Sequence, residues 1–296
     1  MKAACIGDNC VDYYRNLDRG YPTGNAVDTA VNMQHLGVPS AIISTTGSDE
    51  YGTWMIESLR REGLDTSHLK VAKGRTAVTY MDLEGLDRVH GEYEEGVLAD
   101  MVFDDEDVRF ACTHDIVHTA LWGNAESTLP RIHEAGILVS FDYADRLDHP
   151  LVESTLGSVD YGFYSYHRGK DDFIRDFLRD KVDRGLKVAT ATFGEEGSLS
   201  WDGARFYDGP VYPAEHLTNT VGAGDSFVAG FLVGVLNGDG TDAEMVCKRT
   251  LGGELCTGGR THRLSDSERL RALGRQRVTT YPMGGGHRMP SGRRGL

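Results

Sequence analysis

The stretch Thr218-Asn219-Thr220-Val221-Gly222-Ala223-Gly224-Asp225-Ser226-Phe227 constrains this chain more than any other. Two glycines flank a small residue, an acid follows, and an apolar run continues from Phe227 to Leu236. A glycine turn entering a helix aims backbone N–H groups at one point, and the positive end of the helix favours an anion there. A carboxylate beside such an anion hole can take a proton from a nucleophile while the amides hold a transferring phosphoryl group. Taken alone, the same residues also fit a tight turn with Asp225 as an ordinary helix cap. What lies upstream decides between the two.

The upstream pattern is regular. Lys2–Gly7 reads as a short apolar strand ending in Gly7-Asp8-Asn9, and Val11–Tyr14 as the start of a second, exposed one. Thr23-Gly24-Asn25 opens a helix with Ala26, Val27, Ala30, Val31 and Leu36 on one side, closed by Gly37. Ala41–Thr45 is a buried-type strand and Asp49–Glu62 a helix. Arg75–Leu83 and Asp87–Tyr93 alternate as a hairpin around Glu84-Gly85-Leu86. Strands at Ile116–Ala120, Ile137–Phe141, Tyr161–Ser165 and Val188–Phe193 then alternate with helices at Ala125–Ala135 and Asp171–Arg184. A hairpin of Ser198–Trp201 and Ala204–Tyr207 precedes the helix that starts near Ala223. Alternation of this kind predicts an α/β fold with a mostly parallel sheet and its site at the carboxyl ends of the strands. The early strands with no helix between them predict a small β appendage.

Charge narrows the partners. The formal net charge of −14 speaks against nucleic acid or an acidic membrane surface as partner. No apolar run approaches the ~20 residues of a membrane span. The apolar start is too short for a signal peptide, and Asp8 interrupts it. Cysteines 5, 10, 112, 247 and 256 form no Cys-x-x-Cys pair and fit reduced, cytoplasmic thiols. The charge is unevenly spread: from Cys247 onward there are 11 Lys and Arg against 3 Asp and Glu, leaving −22 for the first 246 residues. Tyr281–Leu296, with Gly284-Gly285-Gly286 and Ser291-Gly292-Arg293-Arg294-Gly295, reads as a mobile tail.

Familiar phosphate and metal signatures are absent: there is no Gly-x-x-x-x-Gly-Lys-Ser/Thr, no Gly-x-Gly-x-x-Gly after the first strand, and no His-Glu-x-x-His. What joins the glycine turn instead is Gly7-Asp8-Asn9 with Asp12, and Gly24-Asn25 at a helix start. Carboxylates and amides at a strand end can hold vicinal hydroxyls; Asp8 also fits a turn residue and Asn25 a helix cap.

This order resembles the ribokinase and phosphofructokinase-B family of sugar kinases. Thr220 to Phe227 resembles the family's C-terminal motif, and Thr23-Gly24-Asn25-Ala26 its N-terminal Gly-Gly-Asn-Ala stretch. Further stretches are similar to the branch that acts on fructosamines: Ile6 to Asp12, Asp49 to Thr53, Asp87 to Val97, and Asp115-Ile116-Val117-His118-Thr119-Ala120-Leu121-Trp122-Gly123. The resemblance implies a ribokinase-like three-layer fold over residues 1–255 with a small β lid near 11–22 and 75–97. It implies ATP-dependent transfer of the γ-phosphoryl group to the 6-hydroxyl of fructoselysine or a related fructosamine. Another sugar or a nucleoside as acceptor, and a non-catalytic sugar-binding protein, stay open beside it.

By the same resemblance Asp225 is the general base, and the amides of Gly222, Ala223 and Gly224 form the anion hole. Asp8, Asn9, Asp12, Gly24 and Asn25 hold the sugar, and Arg88 reaches it from the lid. Thr192, Gly194, Gly197 and Thr220 lie on the nucleotide side. Mg²⁺ bridges phosphate oxygens and is held largely through water, and a homodimer pairs through the lid. Four departures stand out. Asn219 occupies the position of an Asp associated with a monovalent cation. Thr23 replaces a glycine. No Asn-x-x-Glu stands at Ser165-Tyr166-His167-Arg168, so metal ligands are unassigned. Residues 256–296 are basic and Gly/Arg-rich where the family continues with apolar helices beside the adenine pocket, which implies weaker ATP binding or lower stability.

Overall fold

The computed structural model describes residues 1–84, 87–211 and 222–238. Val221, Thr220, Asn219 and the basic segment 256–296 lie outside the described residues, and with them the expectations about the monovalent cation and the tail.

The chain begins with β1 (Ala3–Ile6), β2 (Cys10–Tyr14) and β3 (Arg19–Thr23), then α1 (Asn25–His35), β4 (Ser40–Gly47), α2 (Glu50–Arg61) and β5 (Asp65–Ala72). The hairpin β6 (Val78–Glu84) and β7 (Asp87–Glu94) leads to α3 (Asp105–Ala111) and β8 (Ile116–Ala120). Then come α4 (Leu129–Glu134), β9 (Leu138–Asp142), α5 (Pro150–Ser154), β10 (Tyr161–Ser165), α6 (Asp172–Asp183) and β11 (Val188–Thr192). The hairpin β12 (Ser198–Trp201) and β13 (Phe206–Gly209) precedes α7 (Ala223–Leu236).

Nine strands form one sheet in the order β13-β12-β11-β10-β9-β8-β1-β4-β5. Every pairing from β11 to β5 is parallel, and β12 and β13 add an antiparallel edge. Parallel strands need covering on both faces, and the alternation of side chains along each strand shows how that is met. Ala3, Ile116, Phe163 and Val188 turn to one face, where they pack on Met33 of α1 and on Val228, Phe231 and Leu232 of α7. Ala4, Ile6, Val117, Val139 and Ala189 turn to the other, against Val108 of α3, Ile132 of α4, Val152 of α5, and Ile174 and Leu178 of α6. The α1 and α2 faces bury Val27, Val31, Trp54, Met55 and Leu59 against Cys5 and Ile42. This is the α/β fold with a mostly parallel sheet expected from the alternation, in the three layers that the family resemblance implies.

Four strands in the order β3-β2-β6-β7 form a second, smaller sheet, joined to the large one through Gly7-Asp8-Asn9. Its edge strand β3 carries no strand signal, because Gly20 and Pro22 interrupt it. An edge tolerates a proline whose missing N–H faces away from the ladder. Three more elements escaped the periodicity reading, among them the five-residue α5, which Pro150 opens. In β5, also an edge strand, exposed polar residues alternate with few apolar ones. The seven-residue α3 is held instead by a capping box, in which the Asp104 and Asp107 side chains each accept from the other's backbone N–H.

Candidate active site

Strand β1 lies inside the large sheet between β8 and β4, and Gly7 follows its end with φ 151°. A Cβ on Gly7 would lie 2.9 Å from the Cα of Gly123, in the loop after β8. The chain can therefore leave the sheet here only as glycine, and Asp8 and Asn9 are carried over its carboxyl edge.

Asp8 is buried. Its carboxylate accepts from the backbone N–H of Asn25 at 3.0 Å and of Ala26 at 3.4 Å. It thus caps α1 from another part of the chain, a task that local sequence would give to Asn25. The N-cap position is Gly24, and no side chain of the helix's own entry bonds there. Gly24 has φ 129° and ψ 144°, and a Cβ on it would sit 2.8 Å from the Asp8 carbonyl oxygen and 2.9 Å from the Asn9 Cα. Only glycine lets α1 begin this close to the strand end. Asn9 turns inward: it is fully buried, and its Nδ2 donates to Ser44 Oγ at 2.7 Å and to the Thr45 carbonyl at 2.8 Å. Both amide hydrogens are spent on β4, and Oδ1 alone has no partner.

With its backbone held by Asp8, Asn25 is free to reach sideways. Its Nδ2 donates to Asp225 Oδ1 at 3.1 Å. One asparagine thereby ties the start of α1 to the start of α7, across 200 residues of sequence. Two turns on, Asn32 Nδ2 donates to Ser226 Oγ at 3.1 Å. The two helices run side by side with their N-termini at the same place.

Helix α7 begins after Gly222, a left-handed residue (φ 69°), with no side-chain cap. Asp225 is therefore not a cap but a first-turn residue bonded to α1. The first-turn N–H groups of Ala223 and Gly224 have no intrahelical acceptor. A Cβ on Gly224 would meet nothing within 4 Å among the described residues. An anion can approach the helix end there, with the dipole behind it.

The electrostatics concentrate on Asp225. Burial pushes its carboxyl well above the ordinary range, and the charges of Asp28 and Asp142 push it further; the Asn25 bond pulls it back and Asp8 adds a smaller push. Burial likewise raises Asp8, against the pull of the Asn25 and Ala26 N–H groups. Asp142, the last residue of β9, is raised to about 6 by burial, offset by the N–H of Ala144, 2.8 Å from its Oδ1. Asp28, buried on α1, accepts from Thr23 Oγ1 at 2.7 Å. Neither Asp28 nor Asp142 was singled out from the sequence. Each left a signal: a carboxylate on the apolar side of a helix, and a carboxylate at the carboxyl end of a parallel strand.

The remaining sequence-predicted residues fall into three places. Asp12, on β2 of the small sheet, is buried near Cys10, whose Sγ lies 4.0 Å from its Oδ1. Burial and then the charges of Asp12 and Asp8 raise the Cys10 thiol, so both carboxylates gather at the root of the small sheet. Arg88 pairs with Leu83 at the tip of the β6–β7 hairpin, five residues from Tyr93 at its base. The strand register does not bring it to the others. Thr192 ends β11, and its Oγ1 donates to the Tyr164 carbonyl at 3.4 Å. Gly194 and Gly197 form the turn that follows, both with positive φ, and a Cβ on Gly197 would collide with the Gly209 carbonyl.

Three strands, β8, β9 and β10, separate β1 from β11. At ~4.8 Å per strand that puts the two ends roughly 19 Å apart. Helix α7 lies over part of this span: Phe231 packs on Phe163 and Tyr161 of β10, while Asp225 and Ser226 in its first turn bond to α1. Its N-terminus therefore stands on the carboxylate-rich side.

Comparisons with known proteins agree with this geometry. The pfkB family carbohydrate kinase profile matches residues 6–102 and 174–250. The fructoselysine 6-kinase of Escherichia coli K12 is 42% identical over 231 residues, which cover 78% of this chain and 88% of that one. A fructosamine kinase of Bacillus subtilis 168 is 31% identical over 238 residues, 78% of this chain and 82% of its own. Among solved structures, Arabidopsis thaliana ribokinase complexed with ribose and ATP superposes with a TM-score of 0.75 at 17% identity, over 93% of this chain and 98% of that one. A sugar kinase of Pyrococcus horikoshii in complex with ATP gives 0.66 at 23% identity, over 84% and 89%. The fold, the family profile and the relatives coincide: this chain belongs to the pfkB family of carbohydrate kinases.

Proposed function

We propose that this sugar kinase transfers the γ-phosphoryl group of ATP to the 6-hydroxyl of fructoselysine or a closely related fructosamine. The observation that carries the reading is the Asn25–Asp225 bond, which holds a buried carboxylate of raised proton affinity beside the open N-terminus of α7. The similarity to the Escherichia coli and Bacillus subtilis enzymes supports the acceptor.

In this reading Asp225 receives the proton of the sugar hydroxyl as the new P–O bond forms. A carboxylate of raised pKa is a better proton acceptor than an ordinary one, provided that it is ionised at the working pH. The N–H groups at Gly222, Ala223 and Gly224 stabilise the charge on the transferring group. Asp8, Asp12 and Asn25 hold the sugar, Gly24 lets α1 begin beside Asp8, and Asn9 anchors the strand end to β4. Thr192, Gly194, Gly197 and Thr220 serve the nucleotide, and Arg88 acts from the hairpin tip on closure. No three His, Cys, Asp or Glu side chains among the described residues group as a metal cage. Mg²⁺ would be carried on the nucleotide phosphates and held largely through water, where it would neutralise phosphate charge. A homodimer joined through the small sheet and a cytoplasmic location belong to the same reading. Sedimentation tests the first.

The decisive experiment incubates purified protein with ATP, Mg²⁺ and fructoselysine, and assigns the product by phosphorus–proton coupling. ADP and a 6-phosphorylated ketosamine are expected. Asp225→Asn should lower turnover by roughly 10²- to 10⁴-fold, the usual worth of a positioned base. Turnover unchanged in that variant removes Asp225 from the role.

A further inference from the structure

Trp122 has no part in the chemistry above, yet its setting is unusual. It follows β8 on the carboxyl edge of the large sheet. The Leu121 N–H donates to the Asp142 carbonyl at 2.9 Å, and the Gly123 N–H to the Ala120 carbonyl at 2.9 Å. These two bonds fasten the loop to β9 and fold it into a turn around Trp122. On the other side Gly123 lies against Gly7, the residue before Asp8: a Cβ on Gly123 would be 2.6 Å from Thr119 Oγ1 and 3.1 Å from the Gly7 Cα. Asn124, with φ 50°, donates from Nδ2 to the Met101 carbonyl at 3.0 Å and fixes the exit. The backbone is thus held at every step, between the strand that ends in Asp142 and the one that leads to Asp8.

On this fixed turn the indole is 51% exposed, whereas Trp54 is 6% exposed. Among the described residues no ring stack or cation–π contact involves Trp122, although the fold uses such contacts freely elsewhere. A large aromatic surface left in water forgoes the burial that most Trp side chains gain. A loop without room for a Cβ at Gly7 or Gly123 presents it there. The strand that leads to Asp8 and the strand that ends in Asp142 lie on either side of this loop. An indole face suits an alkylammonium group: the ring attracts the cation and covers its methylene stem.

We propose that Trp122 is the specificity residue for the protonated amine and aliphatic stem that a ketosamine carries at C1. Such an acceptor, with its 6-hydroxyl at Asp225, extends its C1 end away from α7, and the ends of β8, β1 and β9 line the carboxylate-rich side of the site. The inference rests on the fructosamine reading of the site and deepens it. It explains how the chain would tell a ketosamine from free fructose, which has neither amine nor stem.

The test compares wild type, Trp122→Ala and Trp122→Phe with fructoselysine and with D-fructose as substrate or competitor. The expected result is a roughly tenfold rise in KM for fructoselysine in Trp122→Ala, with kcat changed less than twofold and most of the affinity restored in Trp122→Phe. The constant for D-fructose should stay within twofold. Fructoselysine without nucleotide should also perturb the tryptophan fluorescence of wild type but not of Trp122→Phe. Equal KM values in wild type and Trp122→Ala, or parallel losses for both sugars, overturn the assignment and leave the fructosamine reading standing. A wild-type enzyme that phosphorylates fructose but no ketosamine overturns both.

Discussion

Replacing Gly24 by alanine tests whether the close approach of α1 to the end of β1 is what assembles the site. Two costs can be worked from the geometry. The backbone at φ 129° and ψ 144° lies in a region that only glycine enters easily, a penalty of about 1–3 kcal/mol for another residue. The new Cβ would also press on the Asp8 carbonyl oxygen at 2.8 Å and the Asn9 Cα at 2.9 Å, both backbone atoms that cannot rotate away. Overpacking of that kind adds about 1–3 kcal/mol. The sum, about 2–6 kcal/mol, corresponds to a fall in Tm of roughly 4–24 °C at 2–4 °C per kcal/mol. Gly37→Ala is the control. It too has positive φ (89°), but its Cβ would meet nothing within 4 Å, so only the conformational cost of ~1 kcal/mol should appear. Urea denaturation of the three proteins measures the difference. If strain is relieved by moving α1, the Asn25–Asp225 bond lengthens and kcat falls together with stability. Equal losses in Gly24→Ala and Gly37→Ala would refute the steric part of the reasoning.

Other expectations follow from the same contacts. Asp142→Asn removes a negative charge that raises Asp225, so the acid limb of the kcat/KM profile should move to lower pH; an unmoved limb excludes the coupling. The sign follows from the base: Asp225 must be ionised to accept a proton, so activity is lost as pH falls through its raised pKa. Asp8→Ala takes the acceptor from two N–H groups of α1 and should cost about 1–2 kcal/mol of stability in thermal unfolding, besides weakening sugar binding. Asn25→Ala leaves that cap in place and frees the Asp225 carboxylate. It should lower kcat at least tenfold with little change in Tm, and a Tm loss without a kcat loss would mean that the bond is only structural.

The sequence by itself determined the layers. The alternation of strands and helices, the hairpins and the glycine turn before α7 are local patterns, and each emerged within a few residues of its expected bounds. The motif residues Asp8, Gly24, Asn25 and Asp225 were also legible, because glycine beside a polar residue at the start of a helix is a local signature. What each residue does there was not legible. Asn25, read as a sugar ligand or a helix cap, is also a tether to α7; Asp8, read as a sugar ligand or a turn residue, caps α1; Asn9 is turned away into β4. Asp28 and Asp142 join the carboxylate group only because α1, α7 and β9 converge. Nothing in a one-dimensional pattern says which strand ends will be neighbours, and the raised proton affinity of Asp225 is set by burial and by charges from distant segments. The strand pairing also decided that Arg88 stands at a hairpin tip and that the loop carrying Trp122 lies between the ends of β1 and β9. Periodicity records which face a residue takes, whereas long-range pairing decides what that face meets.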